Sequence, residues 1–302
     1  MPLSSLRFLK NLAPCYLLAP CYLLVLLVIA PAAMAQPKST KVTVMPAITD
    51  IDRYSVRMLT LALAHASTRY DIVPDADGGH RTQGRYIEDL RTGRIDVMWA
   101  ASDAAIEEQV LPVRIPLLKG LLGHRIFLIH KNSQSKFDAV NTLDDLKKLK
   151  LGQGATWADT KILESNGLAV VKTQKYDNLF YMLDGGRFDA FPRGVQEPWG
   201  EVNKIPGLEL AIEKRLMLVY KMPFYLFVSP DNPALARDIE KGLNAMIADG
   251  TFDHEFLNDP SIKKVIELAD LKNRKVFYLD NPALPKGTPV DRAELWLDIN
   301  SL

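Results

Sequence analysis

Two stretches, TGRIDVMWAA (Thr92 to Ala101) and GGRFDAFPRG (Gly185 to Gly194), repeat one grammar: Gly-Arg, an apolar residue, Asp, then an apolar run. A helical period precedes each. In both copies, therefore, a glycine closes a helix and a short polar turn feeds a buried strand. This repetition restricts the chain to an α/β arrangement. It fits general α/β grammar. It also fits two α/β lobes of similar topology, each offering a strand end to a shared cleft, because ligands of open α/β sheets sit beyond the carboxyl ends of strands. The second copy alone carries an arginine, Arg193, just past its expected strand.

The rest of the chain keeps the alternation. Lys41 to Ala47 is β-branched and alternating, a strand. Asp50 is the expected N-cap of a helix in which Tyr54, Met58, Leu61 and Ala62 recur at helical spacing. Tyr70 to Val73 is a strand, Gln83 to Arg91 a helix, and Ile95 to Trp99 the strand of the first copy. His124 to His130 is extended, and Lys131 to Asn141 is polar and loop-like. The pattern then restarts, with helices over 143–149 and 176–183 and strands over 150–152, 169–172 and 188–191. Pro223 to Ser229 is an apolar strand, followed by an amphipathic helix through Leu235, Ile239, Leu243 and Met246. A further helix is expected from Ser261 to Ala269.

The segment Met1 to Ala35 has two basic residues, no acidic ones, a long apolar run and a small-residue site at Ala33-Met34-Ala35. It reads as a secretory signal peptide, with a retained membrane anchor or a lipoprotein signal as rival readings. Both cysteines, Cys15 and Cys21, lie in it, so the mature chain is expected to have no disulfide, thiol nucleophile or thiolate metal site. Removing Arg7 and Lys10 leaves 35 basic against 36 acidic residues, which points away from nucleic acid and from a polybasic membrane surface. The expectation is a secreted, periplasmic protein, monomeric, with no cofactor.

Several stretches together resemble the periplasmic solute-binding proteins that serve polar amino acid ABC transporters. They are LRTGRIDVMWAAS (Leu90 to Ser102), HRIFLIHKNS (His124 to Ser133), LDDLKKLKLGQGATW (Leu143 to Trp157), MLDGGRFDAF (Met182 to Phe191) and LARDIEKGLNAMIADGTFDHEF (Leu235 to Phe256). The resemblance covers roughly Lys41 to Leu257. It implies the type 2 periplasmic binding fold: two α/β lobes with mostly parallel sheets, joined by two hinge strands and closing on ligand. Lobe 1 would comprise 36–130 and 224–302, and lobe 2 would comprise 131–223.

The chain departs from the family at the ligand clamp. Where the family holds an α-carboxylate with arginine, this chain has Ile106-Glu107-Glu108-Gln109. Where the family places an acidic residue for the α-ammonium, this chain has Arg193-Gly194. Arg193 in the cleft would favour an anionic group; the alternative is an exposed or core-paired arginine, bonded to Glu197. Thr156 stands before a helix start, a position that favours anions, or it is an ordinary N-cap. Trp99, Ser102, Trp157 and Phe191 fall at strand ends or just after them, as cleft walls or as core. Tyr54 is a candidate aromatic lid, and Glu197 a further candidate contact.

The five histidines, at 65, 80, 124, 130 and 254, make no metal-binding spacing, and neither G-x-S-x-G nor a P-loop occurs. No catalytic residue and no metal site are expected. The leading expectation is a binding protein delivering a small polar ligand, anionic or amino-acid-like, to a membrane permease of an ABC transporter. A binding module reporting to a membrane sensor is the alternative, and a periplasmic enzyme the third reading.

Overall fold

The computed structural model describes residues 39–76 and 81–302, so the expected signal peptide and His80 lie outside the described residues. Elements alternate as the sequence implies. They run β1 (Thr40–Val44), α1 (Asp50–Ala64), β2 (Tyr70–Pro74), α2 (Gln83–Arg91), β3 (Val97–Ala101), α3 (Ala104–Glu107), β4 (Leu111–Val113) and β5 (His124–His130). Next come α4 (Gln134–Asp138), α5 (Leu143–Lys147), β6 (Lys150–Gly154), α6 (Ala158–Ser165), β7 (Ala169–Thr173) and α7 (Tyr176–Asp184). Then follow β8 (Ala190–Gly194), α8 (Pro198–Glu201), β9 (Leu210–Ile212), β10 (Leu216–Val219) and β11 (Phe224–Val228). The chain finishes with α9 (Pro233–Ala248), α10 (Thr251–Asn258), α11 (Pro260–Ala269) and β12 (Lys275–Tyr278).

Two sheets result. The first has the order β2-β1-β3-β11-β4, and the second β12-β10-β5-β8-β6-β7 with β9 on β5. Both are mixed: β1, β2 and β3 are parallel, as are β6, β7 and β8, whereas β11 and β5 run antiparallel to their neighbours. The expected lobe boundaries and the sheets differ at two places. β5, expected in the first lobe, hydrogen-bonds throughout to β8, and β12 of the tail adds to β10 in the same second sheet. Asp50 is the first helical residue of α1 rather than its cap; Thr49 caps it, in a reciprocal capping box with Asp52.

The repeated motif now has a physical account. Gly93 and Gly186 both take left-handed backbone, φ +72° and +68°, where each helix ends, a conformation that suits glycine. The two aspartates act alike. Asp96 Oδ2 accepts from Thr43 N at 2.7 Å, and Asp189 Oδ2 accepts from Lys150 N at 2.7 Å. Asp96 thus pins the last residues of β1 and Asp189 the first residue of β6, while the N–H of each donates back, to Thr43 O or Lys150 O. The motif is written once per sheet because each sheet has one such junction. It lies at the amino ends of β3 and β8.

The largest core packs α1 and α9 on the first sheet through Met58, Leu59, Ile239 and Leu243. It does not stop there: Ile126 of β5, Val195 and Met217 of β10 belong to the same buried cluster. The tail joins it too. Ile262 and Leu271 pack into it, and after β12 the chain returns with Leu295, Trp296 and Ile299. Backbone therefore passes between the sheets four times: β4 to β5, β10 to β11, α11 to β12, and from β12 back to the first core. Lys119 and Gly120, on the first passage, are both left-handed, and the Trp296 ring lies where a Cβ on Gly120 would fall.

Candidate functional site

A cavity of about 580 Å³ opens where both sheets contribute chain ends. The segment after β1 supplies Thr49, Asp50 and Ile51, and the passage to the second sheet supplies Leu118, Leu121 and Leu122. Gln196, Trp199 and Gly200 come from the segment after β8, Phe224 from the start of β11, and Ser261, Ile262, Lys264, Val265 and Leu268 from α11. Two of its walls thus follow the carboxyl ends of parallel strands, where α/β sheets place ligands. The volume lies within the range of small-molecule sites.

None of the eight residues expected from the sequence lines this cavity. Tyr54 is fully buried, its hydroxyl donating to Leu117 O at 2.9 Å and its ring packed in the first core. Trp99 is buried in the same core and donates Nε1–H to Asp52 Oδ1 at 2.7 Å. Ser102 donates to Glu107 Oε1 at 2.7 Å, and Glu107 in turn pairs with Arg114. The carboxylate that stands where an arginine clamp was sought is thus itself neutralised by an arginine seven residues on.

The second sheet gathers the rest. Arg193 is inside β8, opposite Ile126, rather than beyond the strand. It is 8% exposed. Its Nε–H donates to Glu201 Oε2 at 2.8 Å, and its Nη2 group to Glu201 Oε1 at 2.8 Å and Glu197 Oε1 at 2.6 Å. The guanidinium lies 4.8 Å from the Phe191 ring centre, 5.1 Å from Trp157 and 5.5 Å from Tyr176, within cation–π range. Trp157 stacks on Phe191 with 6.1 Å between centroids, against a strand position, Gly154, where a Cβ would come 2.4 Å from the indole. Thr156 is exposed in the turn before α6, and Trp157 is the cap of that helix.

A second arginine, Arg125 of β5, sits beside this cluster. It is fully enclosed between Asp159 at 2.7 Å, the Tyr220 hydroxyl at 2.8 Å and, farther off, Glu197 at 3.7 Å. Partial burial raises the Glu197 carboxyl above its ordinary value, and Arg193 and Arg125 pull it back. Glu197 Oε2 accepts from Gly194 N at 2.6 Å, so this carboxylate fixes the turn that leads to Gln196 and Trp199. Trp199 is held as well, its Nε1–H donating to Val195 O at 2.8 Å. The network therefore shapes the cavity wall from behind while its own charges are matched.

The residues expected from the sequence and those that line the cavity are different side chains on shared turns. The cavity residues after β1 and β8 neighbour the candidates Tyr54 and Glu197 in sequence. The α11 residues left one signal: Ser261, Lys264, Val265 and Leu268 recur at i, i+3, i+4, i+7, one helix face. Among the described residues, no cluster of His, Cys, Asp and Glu is placed to hold a metal, and no helix is long and apolar enough to cross a membrane.

No family model and no curated protein matches the chain. Solved structures do match. The probable amino-acid ABC transporter extracellular-binding protein ytmK from Bacillus subtilis superposes with a TM-score of 0.53 at 17% identity, covering 75% of this chain and 100% of that one. A Salmonella typhimurium periplasmic binding protein of high arginine specificity gives 0.44 at 17%, covering 72% and 97%. The Bordetella pertussis BvgS VFT2 domain gives 0.47 at 17%, covering 77% and 92%. The first of these shows the fold: this chain is built like an extracellular solute-binding protein, in two α/β halves.

Proposed function

Proceeding from that shared fold, we propose that the protein captures a small molecule in the cavity between its two halves and presents it to a membrane permease of an ABC transporter. The observation that carries the reading is the cavity itself, with walls from both sheets and the segments after β1 and β8 at its mouth. Delivery to a permease rather than to a membrane sensor rests on the likeness to the Bacillus subtilis protein alone. The reading places the protein in the periplasm, as a monomer, with no catalytic step of its own. Arg193, Glu197, Trp157 and Phe191 act in it as positioning residues, holding the 194–200 segment that walls the cavity, rather than as direct partners of the ligand.

Native mass spectrometry of protein purified gently from the periplasm tests this. A reproducible extra mass that disappears on denaturation supports capture. A bare mass from cells grown on rich and on minimal media, with no adduct after incubation with a metabolite extract, would sink it.

A further inference from the structure

The tail after Leu257 has a use in this arrangement. Helix α11 is apolar on two faces. Ile262 and Ala269 are buried in the first core, with Val265 and Ile266 packed against it, and Ile262 also borders the cavity. Val265 and Leu268, with Ser261 and Lys264 on the same face, turn to the cavity. Leu268 is 43% exposed there, a large apolar side chain with an apolar wall opposite it: Ile51, Leu118, Trp199 and Phe224. The helix is fixed in place from behind. Its cap, Asp259, accepts from Ser261 N and Ile262 N and pairs with Arg57 of α1 at 2.6 Å.

The charges around the site make a second, independent observation. A zwitterionic ligand loses its hydration on entry and needs unspent ionic partners to replace it. Arg193 is matched by Glu201 and Glu197, Arg125 by Asp159, Arg114 by Glu107, and Asp50 by Arg53. Asp52 is committed to the α1 cap and to Trp99. Of the cationic side chains lining the cavity, Lys264 stands at the exposed rim. The lining offers apolar surface in its depth and polar groups at its edge.

We infer that α11 is the third wall of the ligand cavity, and that the ligand it selects is a small molecule with an apolar body rather than a polar amino acid. This rests on the capture reading above and gives it a chemical class. Transfer of such a ligand's methylenes out of water drives its binding without an ion pair.

The test is isothermal titration of the purified protein with decanoate, below its micelle concentration, and with glutamine. Two variants accompany it, Leu268→Asp and Val265→Ser. Leu268 is half-exposed and away from the core face, so its unfolding midpoint in urea is expected to stay put. Saturable decanoate binding, weakened at least ~tenfold by Leu268→Asp and less by Val265→Ser, with no heat from glutamine, is the expected result. Decanoate binding that neither variant changes would overturn α11 as the wall. Glutamine binding without decanoate binding would overturn the apolar class and leave capture standing. Binding of neither, together with a bare native mass, would overturn both.

Discussion

His124 sits where the chain enters the second sheet, 4% exposed, its Nδ1 against Gly120 O at 3.1 Å. That carbonyl can only accept, so Nδ1 carries the proton. Burial pushes the imidazole down from 6.5 to about 4, with the charges of Arg125 and Lys221 adding to the fall and the Gly120 bond opposing it. The sign follows from which state binds protons. Between pH 6.5 and about 4 the unfolded chain takes up a proton at this residue and the folded chain does not, so stability falls with falling pH across that window. The loss from this group reaches roughly 3 kcal/mol at the lower end. In urea unfolding at pH 7 and pH 4.5, His124→Asn, which keeps a donor for Gly120 but does not titrate, should lose less stability than the native protein. An equal loss in both would show that His124 charges in the folded state.

Arg193 teaches a related lesson. From sequence it is a cleft cation or a core arginine paired with Glu197; in the fold it is the shared partner of Glu197 and Glu201 under three aromatic rings, and the Glu201 half is the part that was hidden. Breaking a buried pair leaves the other charge uncompensated, at a cost of about 3–5 kcal/mol. Arg193→Ala should therefore lower unfolding free energy by that order in chemical denaturation. A variant of native stability that merely binds ligand more weakly would instead mark Arg193 as a ligand contact. The sequence could not show this. Glu201 is eight residues away, and the bend that brings it back is set by α8 and by tertiary packing rather than by a local pattern.

At the level of elements, most of the first sheet and its helices were legible, because each carries its own period and punctuation. The spacing of Tyr54, Met58 and Ala62 announces α1, though not its cap, Thr49; Gly93 and Gly186 close α2 and α7; His124 to His130 is a strand from end to end. Helix α4 forms inside 131–141, which reads as loop, and among the strands β4, β9, β10 and β12 escaped. They are three or four residues long, too short for a period, and β12 exists as a strand only because β10 offers it a parallel edge. The cavity was illegible for the same reason: its walls come from segments brought together by those pairings.

The contact of α1 with α9 makes an element-scale prediction. A Cβ on Gly242 would lie 1.9 Å from Ala62 O, so the two helices meet backbone to side-chain-free backbone. Gly242→Ala gains helix propensity of about 1 kcal/mol but must push the pair apart, and overpacking costs about 1–3 kcal/mol. The net should be a lower melting temperature by calorimetry. A raised one would mean that the helices separate freely.

For the whole molecule, no local pattern announces that one core serves both halves. Met217, Val195 and Ile126 of the second sheet are buried in the same cluster as Met58 and Leu243. The tail returns to that cluster after adding a strand to the far sheet. The halves should therefore melt together, in one calorimetric transition whose measured and van't Hoff enthalpies agree. Two resolved transitions would show that each half stands alone.

The contact of Trp296 with Gly120 has an optical consequence. The indole rests on the left-handed turn through which the chain leaves the first sheet, so any swing of one half against the other slides backbone across its face. Trp199 lines the cavity at a separate point. Two of its four tryptophans thus stand at its two working parts, so with Trp99 and Trp157 replaced by phenylalanine the two signals separate. Trp199 emission would register occupancy, and Trp296 emission movement, with no dye attached.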